Sequence, residues 1–447
     1  RGGWGRAFRF AVQLHCCTGT AAAKAESIPA APARLSKSKP AFGTVPGVSL
    51  PLNPGYFGPS VKGHLVHAPS PSLNSRRAMH GNNRLQIGLF GANCSSGRAV
   101  TLVPERWSGN WTDNKKLAIM SDEAGIDFLL PIGRWKGYGG DTDYQGTTLE
   151  TITWATGLLG ATRRITVFGT VHAPIFNPVV AAKEMVTADH IGEGRFGLNI
   201  VVGWNEGEFD MFGVGQRAHE DRYDYAQEWI DVIKLIWSDR ENFDFDGKYL
   251  HMKGIKGKPK PFGGERPVIM NAGASATGQA FAVKNCDAFF LQASRTSLDE
   301  TASRVRRAKD AARAQGHEIG CYTVGVVTCR PTRKQAEEYF HHCIVECADW
   351  NAVDSILAMK NISPQTVPMA EFLAQRSGYA QGMGGLPIVG DPDHVAAQLA
   401  DLSKAGLTGI AISLVNYLKE LPYFCDEVIG RLERMGLREK VRSSATA

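Results

Sequence analysis

The chain has 447 residues, 43% hydrophobic and 21% charged, an ordinary globular composition with material for a large core. The formal net charge of +6 is no nucleic-acid signature: residues 1–78 hold ten Lys and Arg against one acid, Glu26, and the other 40 basic and 43 acidic residues leave 79–447 slightly acidic. No run of eighteen apolar residues marks a membrane span, and nine irregularly spaced cysteines without a Cys-x-x-Cys pair read as reduced thiols of a cytoplasmic protein.

Residues 1–78 include "SIPAAPARLSKSKP" and "HAPSPSLNSRR" and show no period of 2 or 3.6, so they cannot bury enough apolar surface to offset chain entropy. They are expected to be a disordered or non-native extension, from a mis-placed start or, given their Arg- and Ser-rich, acid-poor character, a transit peptide. Met79 stands six residues before the first convincing strand, "LQIGLF", so the folded domain is assigned to 79–447.

From Leu85 onward, apolar runs alternate with helical patterns. Strands are predicted at 85–90, 127–132, 165–171, 196–202, 267–271, 287–292, 320–328 and 409–414. Helices are predicted at 112–124, 148–161, 178–190, 222–238, 275–284, 296–314, 332–347 and 392–405. Strands apolar on both faces, such as "FGLNIV", suit a parallel sheet covered by helices, and eight of them close a single (β/α)8 TIM barrel. Two segments interrupt the alternation. Residues 241–266 alternate like a β-ribbon before strand five. The glycine-rich 360–390, before strand eight, is too long for an ordinary connection and is expected to be a lid.

In a barrel the chemistry belongs at the carboxyl ends of the strands. Gly133, Arg134, Trp135 and Lys136 follow strand two, Thr170 and His172 end strand three, and Asn199 lies within strand four ahead of Trp204 and Glu208. Arg134, Lys136 and Arg222 suit an anionic ligand, or simply a solvated rim. Ser275 in "NAGASATG" opens a helix whose free N–H groups bind anions, unless it is only a cap. Asn199 is a polar group in an apolar strand and needs partners, from backbone or from a heteroaromatic ring. Trp204 and Trp135 wall a planar ligand or belong to the core. His219 in "AHEDRYDY" and His172 are alternative general bases, or plain histidines. "HHCIVEC" (341–347) lacks metal-ligand spacing, so no metal is assigned, and no Gly-x-Gly-x-x-Gly follows a strand, so a Rossmann nucleotide site is not supported; Gly-x-Ser-x-Gly and Walker A patterns are absent.

The stretch "DFLLPIGRWKGYGG…TLETITWATGLLGATRRITVFGTVHAP…GEGRFGLNIVVGWNEGEFDMFG…HEDRYDYAQEWIDVIKLIW" resembles the bacterial luciferase-like flavin monooxygenases. Within them it is similar to the group holding pyrimidine oxygenase, dimethylsulfone monooxygenase and alkanesulfonate monooxygenase, over roughly residues 84–436. The resemblance implies reduced FMN as co-substrate, delivered by a separate NAD(P)H:flavin reductase, with O2 used to oxygenate a small organic substrate. By motif match, Gly133, Arg134, Asn199 and Glu208 fall on flavin-facing positions, and Arg222, Tyr223 and Ser275 on positions near the phosphate. His219 matches a His of the sulfone and sulfonate enzymes where the pyrimidine enzymes carry an apolar residue, which favours an organosulfur substrate over pyrimidine or amide oxygenation. Arg376 in the lid is expected to close over an anionic substrate or phosphate, making His219, Trp204 and Arg376 the candidate catalytic set. The family pattern also implies a non-prolyl cis bond around 171–173 and a homo-dimer or tetramer joined through helices two and three. A deazaflavin-dependent oxidoreductase and a non-catalytic flavin-binding protein are the competing readings.

Overall fold

In the computed structural model, residues 78–440 are described, apart from the side chain of His219. The expected disordered or non-native extension, with its mis-placed-start and transit-peptide readings, lies outside them. Eight parallel strands form the barrel: β1 (Gln86–Phe90), β2 (Phe128–Leu130), β3 (Thr166–His172), β4 (Phe196–Val201), β7 (Val268–Asn271), β8 (Ala288–Phe290), β9 (Gly320–Cys329) and β11 (Gly409–Ser413). The sheet runs β9–β11–β1–β2–β3–β4–β7–β8, and pairing of β8 with the start of β9 (Ala288 opposite Gly320) closes it. The expected (β/α)8 barrel is thus the observed fold.

The predicted ribbon is present as antiparallel β5 (Asn242–Asp246) and β6 (His251–Lys256). The segment 360–390 is more ordered than a loop, because it contains a helix, Met369–Ala380, and a ninth strand, β10 (Leu386–Gly390). β10 pairs with the upper half of β9, from Leu386 opposite Gly325 to Gly390 opposite Cys329, on the edge that β8 leaves vacant.

The main helices, in chain order, are α1 (Trp111–Glu123), α2 (Thr151–Leu159), α3 (Pro178–Ile191), α4 (Glu206–Met211), α5 (His219–Trp237), α6 (Ala276–Asn285), α7 (Leu298–Arg313), α8 (Arg333–His341), α9 (Trp350–Met359), α10 (Met369–Ala380), α11 (Pro392–Lys404) and α12 (Tyr417–Phe424). Their starts are written locally. Asn177 accepts from the amides of Val179 and Val180 with Pro178 in the first helical position. Thr332 and Gln335 form a reciprocal capping box. The helix predicted at 332–347 instead ends at His341 and continues as a wider π-type turn through Glu346.

Strand alternation sorts the barrel interior into layers. Phe128, Leu130, Phe168, Val268, Met270, Phe290 and Tyr322 pack inside it, with Met79 buried among them. Glycine at 88 and at 197 makes room for this filling: a Cβ there would lie 2.2 Å from the Phe128 ring and 2.4 Å from the Phe168 ring respectively. Leu129, Val167, Leu198 and Ile200 face the other way and pack in the outer core with the helices. Continuing the inward register upward, Phe168 is followed by Thr170 and His172, and Gly197 by Asn199. The apolar filling therefore stops one layer below the carboxyl ends, where polar side chains take over.

Candidate active site

The carboxyl end of the barrel is organised around Glu208 on α4. Its Oε1 accepts from Arg134 Nη1 at 2.9 Å and from the amides of Trp135 at 2.8 Å and Lys136 at 3.2 Å, tying the loop after β2 to the loop after β4. Both side chains of this ion pair are buried, 8% and 3% exposed. Arg134 also lies 4.6 Å from the Tyr138 ring and 5.8 Å from the Trp204 ring, which themselves stack at 6.3 Å and 15°. Lys360, from the end of α9, covers Trp204 at 3.9 Å. Burial and the neighbouring Arg134 guanidinium lower the proton affinity of this amine. Trp135 packs on Phe212 and Phe176.

His172 is buried between two glycines. A Cβ at Gly133 would meet its ring at 2.7 Å and one at Gly203 would meet it at 3.3 Å. Its Nδ1 has no partner among the described residues, and burial holds its pKa down near 4, with Glu208 opposing the depression and Arg134 adding to it. Asn199 donates to Thr170 Oγ1 at 3.1 Å, and Thr170 in turn donates to the Pro131 carbonyl at 2.6 Å. The Asn199 Oδ1 and the Asn205 Nδ2 are buried without partners among the described residues. Buried polar groups are rarely left so, and here three of them lie at or just beyond the ends of two adjacent strands.

A second cluster follows β7. Asn271 donates to the Ile200 carbonyl and accepts from the Gly273 amide, and Ser275 Oγ caps α6 by accepting from Gly278 N at 3.1 Å. A Cβ at Gly278 would lie 2.4 Å from the Tyr223 hydroxyl, and one at Gly273 would lie 2.7 Å from Gly278 Cα. The two glycines thus let the Tyr223 hydroxyl and the open amides of the α6 N-terminus converge, a geometry suited to a phosphate. Arg222 Nη1 donates to the Gly203 carbonyl at 2.8 Å, linking this cluster to the first.

The luciferase-like monooxygenase family profile matches residues 87–409. The chain belongs to the luciferase-like monooxygenase family. It is 27% identical over 361 residues to the FMNH2-dependent dimethylsulfone monooxygenase of Pseudomonas fluorescens (strain Pf0-1), covering 79% of this chain and 96% of that protein. It is 29% identical over 262 residues to the pyrimidine monooxygenase RutA of Enterobacter sp. (strain 638), covering 58% and 71%. Among solved structures, DmoA from Hyphomicrobium sulfonivorans superposes with a TM-score of 0.72 at 18% identity, over 81% of this chain and 90% of that one. Long-chain alkane monooxygenase (LadA) gives 0.71 at 19%, over 80% and 93%. At these identities the structures speak for the barrel alone.

In this luciferase-like monooxygenase, Gly133, Arg134, Trp204, Glu208 and Arg222 stand around one mouth with His172 and Asn199, and Tyr223 and Ser275 adjoin it. Arg376 stands apart from them: it is committed to Asp354 of α9 by two bonds of 2.6 and 2.8 Å and lies over the Trp350 ring, so the expected closing cation is a clamp between two helices. His219, expected just outside a helix, is the first residue of α5, and its side chain lies outside the described residues. The expected cis bond at 171–173 is corrected as well, since among the described residues the cis peptide is Lys258–Pro259. The β3–β4 ladder continues through His172 opposite Val201, and Ala173 N donates to the Val201 carbonyl at 3.0 Å, which keeps this backbone extended.

Sequence reasoning missed Tyr138 and Lys360. "GRWKGYGG" offered an aromatic five residues after Gly133, but nothing in the local pattern marks Lys360, which arrives from over 220 residues away. Among the described residues no helix is long and apolar enough to cross a membrane.

Proposed function

We propose that this chain is the oxygenase component of a two-component system that takes FMNH2 from a separate NAD(P)H:flavin reductase and uses O2 to oxygenate a small organic substrate. Family membership and the FMNH2-dependent relatives make it a flavin monooxygenase. The observation that carries the assignment to this mouth is its set of unpartnered buried atoms, acceptor Asn199 Oδ1, donor Asn205 Nδ2 and the His172 Nδ1, which match the alternating donor and acceptor edge of an isoalloxazine. Arg134, Asn199 and the loop at Gly133 would hold the ring, while Tyr223, Ser275 and the α6 amides would hold the phosphate. The bound reduced flavin supplies the electrons that activate O2.

The chain's own residues do the rest. Glu208 fixes two loop amides and keeps the Arg134 guanidinium oriented over the mouth. His172, depressed to about 4, is neutral at physiological pH and serves as a hydrogen-bond partner rather than an acid. Trp204, Tyr138 and Lys360 wall the mouth and keep water from the reacting centre. His219 remains the proposed general base, and 360–390 the proposed cover. An organosulfur substrate, a sulfone or sulfonate undergoing C–S cleavage, is the leading assignment, with a pyrimidine or amide second. Assembly as a dimer or tetramer is proposed through α2 and α3, the latter exposing Val180 and Ile191.

Anaerobic titration with FMNH2, followed by oxygen uptake with dimethylsulfone, alkanesulfonates and uracil, tests the proposal. Tight FMNH2 binding and substrate-stimulated uptake coupled to product are expected. Tight binding of a deazaflavin with oxygen-independent turnover would replace this reading.

A further inference from the structure

We infer that the groove beside the mouth seats the anionic end of an elongated organic substrate whose reacting end lies at the mouth. The inference rests on the flavin reading for the place of reaction, and on the groove alone for the ligand's class. A cavity of about 1180 Å3 starts at the ends of β7 and β8 and the middle of β9 and extends between α6, α7 and α10. Its inner wall is apolar, with Phe290, Ala293 and Val324. Arg98, Arg295, Arg304 and Arg307 line it as well, against a single carboxylate, Glu371.

Arg304 is already neutralised by Glu300. The other three guanidiniums spend their described bonds on neutral acceptors. Arg98 Nη2 reaches the carbonyls of Gly382 at 2.7 Å and Met383 at 3.3 Å. Arg295 reaches the Gly385 carbonyl at 2.7 Å and Gln381 Oε1 at 3.1 Å, and Arg307 reaches Ser303 Oγ at 3.1 Å. Arg98 is buried, 9% exposed, and its Nε has no partner among the described residues. A buried guanidinium without a counter-charge is strongly unfavourable until an anion accompanies it, and a cleft lined by one sign of charge concentrates the opposite sign. Guanidinium forks match carboxylate, sulfonate and phosphate oxygens alike.

Size decides between a small and a long ligand. Pockets for drug-sized molecules span about 300–1,000 Å3, so this cavity far exceeds what a two-carbon sulfone fills. An apolar stem along Phe290, Ala293 and Val324 would place a terminal anion among the arginines. Arg98 and Arg295 both grip the turn 382–385, in which Gly382, Met383 and Gly384 all have positive φ (97°, 59° and 81°), so charge in the groove is sensed by the same turn that leads into β10.

The test is calorimetric titration of the full chain, without flavin, with methanesulfonate, octanesulfonate and octanol, repeated on Arg295→Gln and Arg307→Gln, with FMN and inorganic phosphate titrated separately. Octanesulfonate is expected to bind at least about tenfold more tightly than methanesulfonate or octanol, and each variant to weaken it by about fivefold or more while leaving octanol and FMN unchanged. Equal affinity for octanol and octanesulfonate, or indifference to both substitutions, overturns the groove assignment. Weakened FMN and phosphate with unchanged octanesulfonate would assign the arginines to the flavin phosphate, overturning the inference and sparing the flavin reading. Arginine-dependent octanesulfonate binding by a chain that does not bind FMN would do the reverse.

Discussion

The barrel has a buried arginine–carboxylate pair at each end, and they are built differently. At the floor, Asp127 Oδ2 accepts from Arg438 Nη1 at 2.6 Å and from Ile87 N, while Oδ1 accepts from Asn83. Arg438 also donates to the carbonyls of Leu85 and Gly125, and both side chains are 2% exposed. At the mouth, Arg134 and Glu208 share one hydrogen bond, while the guanidinium faces the aromatic rings of Tyr138 and Trp204 and the buried atoms around it lack partners. At the floor both Asp127 oxygens and both terminal nitrogens of Arg438 are bonded within the fold and Arg438 Nε is left over, whereas at the mouth Arg134 Nε, His172 Nδ1, Asn199 Oδ1 and Asn205 Nδ2 all stay open among the described residues, which separates a pair that holds the barrel shut from one that waits for a ligand.

Substituting each carboxylate by its amide is the sharpest way to break this comparison. Asp127→Asn leaves Arg438 charged and buried, and is expected to lower unfolding free energy by about 3–5 kcal/mol in denaturant titration. Its effect on flavin affinity at a permissive temperature should be slight. Glu208→Gln keeps an acceptor for the two loop amides but loses the charge, and its main expected effect is on the site: FMNH2 affinity and turnover fall by about tenfold or more, with a stability loss of about 1–2 kcal/mol. Equal stability losses with unchanged flavin affinity would erase the distinction between the two ends.

Acid titration probes the mouth alone. With a folded pKa near 4 against an ordinary 6.5, His172 binds fewer protons in the folded chain than in the unfolded one. Stability is therefore complete above the unfolded value and declines as pH falls from 6.5 towards 4, by up to roughly 3 kcal/mol. His172→Gln should flatten the denaturation midpoint between pH 6.5 and 4, and a variant retaining the full acid slope would place that titration elsewhere. A smaller effect is expected at Asn199. Asn199→Leu removes an unpartnered buried carbonyl oxygen together with the Nδ2 bond to Thr170, two effects of opposite sign, so stability should change by less than about 1 kcal/mol, while FMNH2 affinity falls by about tenfold. A large loss of stability would mean that Asn199 serves the fold.

The barrel was legible because its strands are buried on both faces and its helices carry capping signals, both local properties of the chain. Met79, which the composition shift singled out, is buried inside the barrel. Asn199 stood out as one polar residue in "FGLNIV". What escaped depends on distance along the chain. β10 lies in a segment whose glycines mask a short strand, and its partner, the upper half of β9, is over sixty residues earlier. Lys360 reaches Trp204 only because α9 packs over the mouth, and Arg376 looked like a free cation because Asp354 sits 22 positions upstream on another helix. Ion pairs between elements leave no periodic trace, so sequence reading overstates the number of charges available to a ligand.

The Arg376–Asp354 clamp offers the last and mildest test. The pair is partly exposed, 28% and 48%, and joins α9, which Lys360 follows directly, to α10. Arg376→Gln is expected to lower stability by less than about 1 kcal/mol, as exposed ion pairs do. If α9 and α10 cover the mouth, loosening them admits water where Lys360 and Trp204 now exclude it, and oxygen should be consumed with less product formed while FMNH2 affinity stays the same. Asp354→Asn should reproduce that uncoupling, because each substitution breaks the same contact from opposite helices. Coupling that stays intact in both variants would assign the clamp to the outer wall of the insertion, and leave water exclusion to the aromatic rings stacked over Arg134.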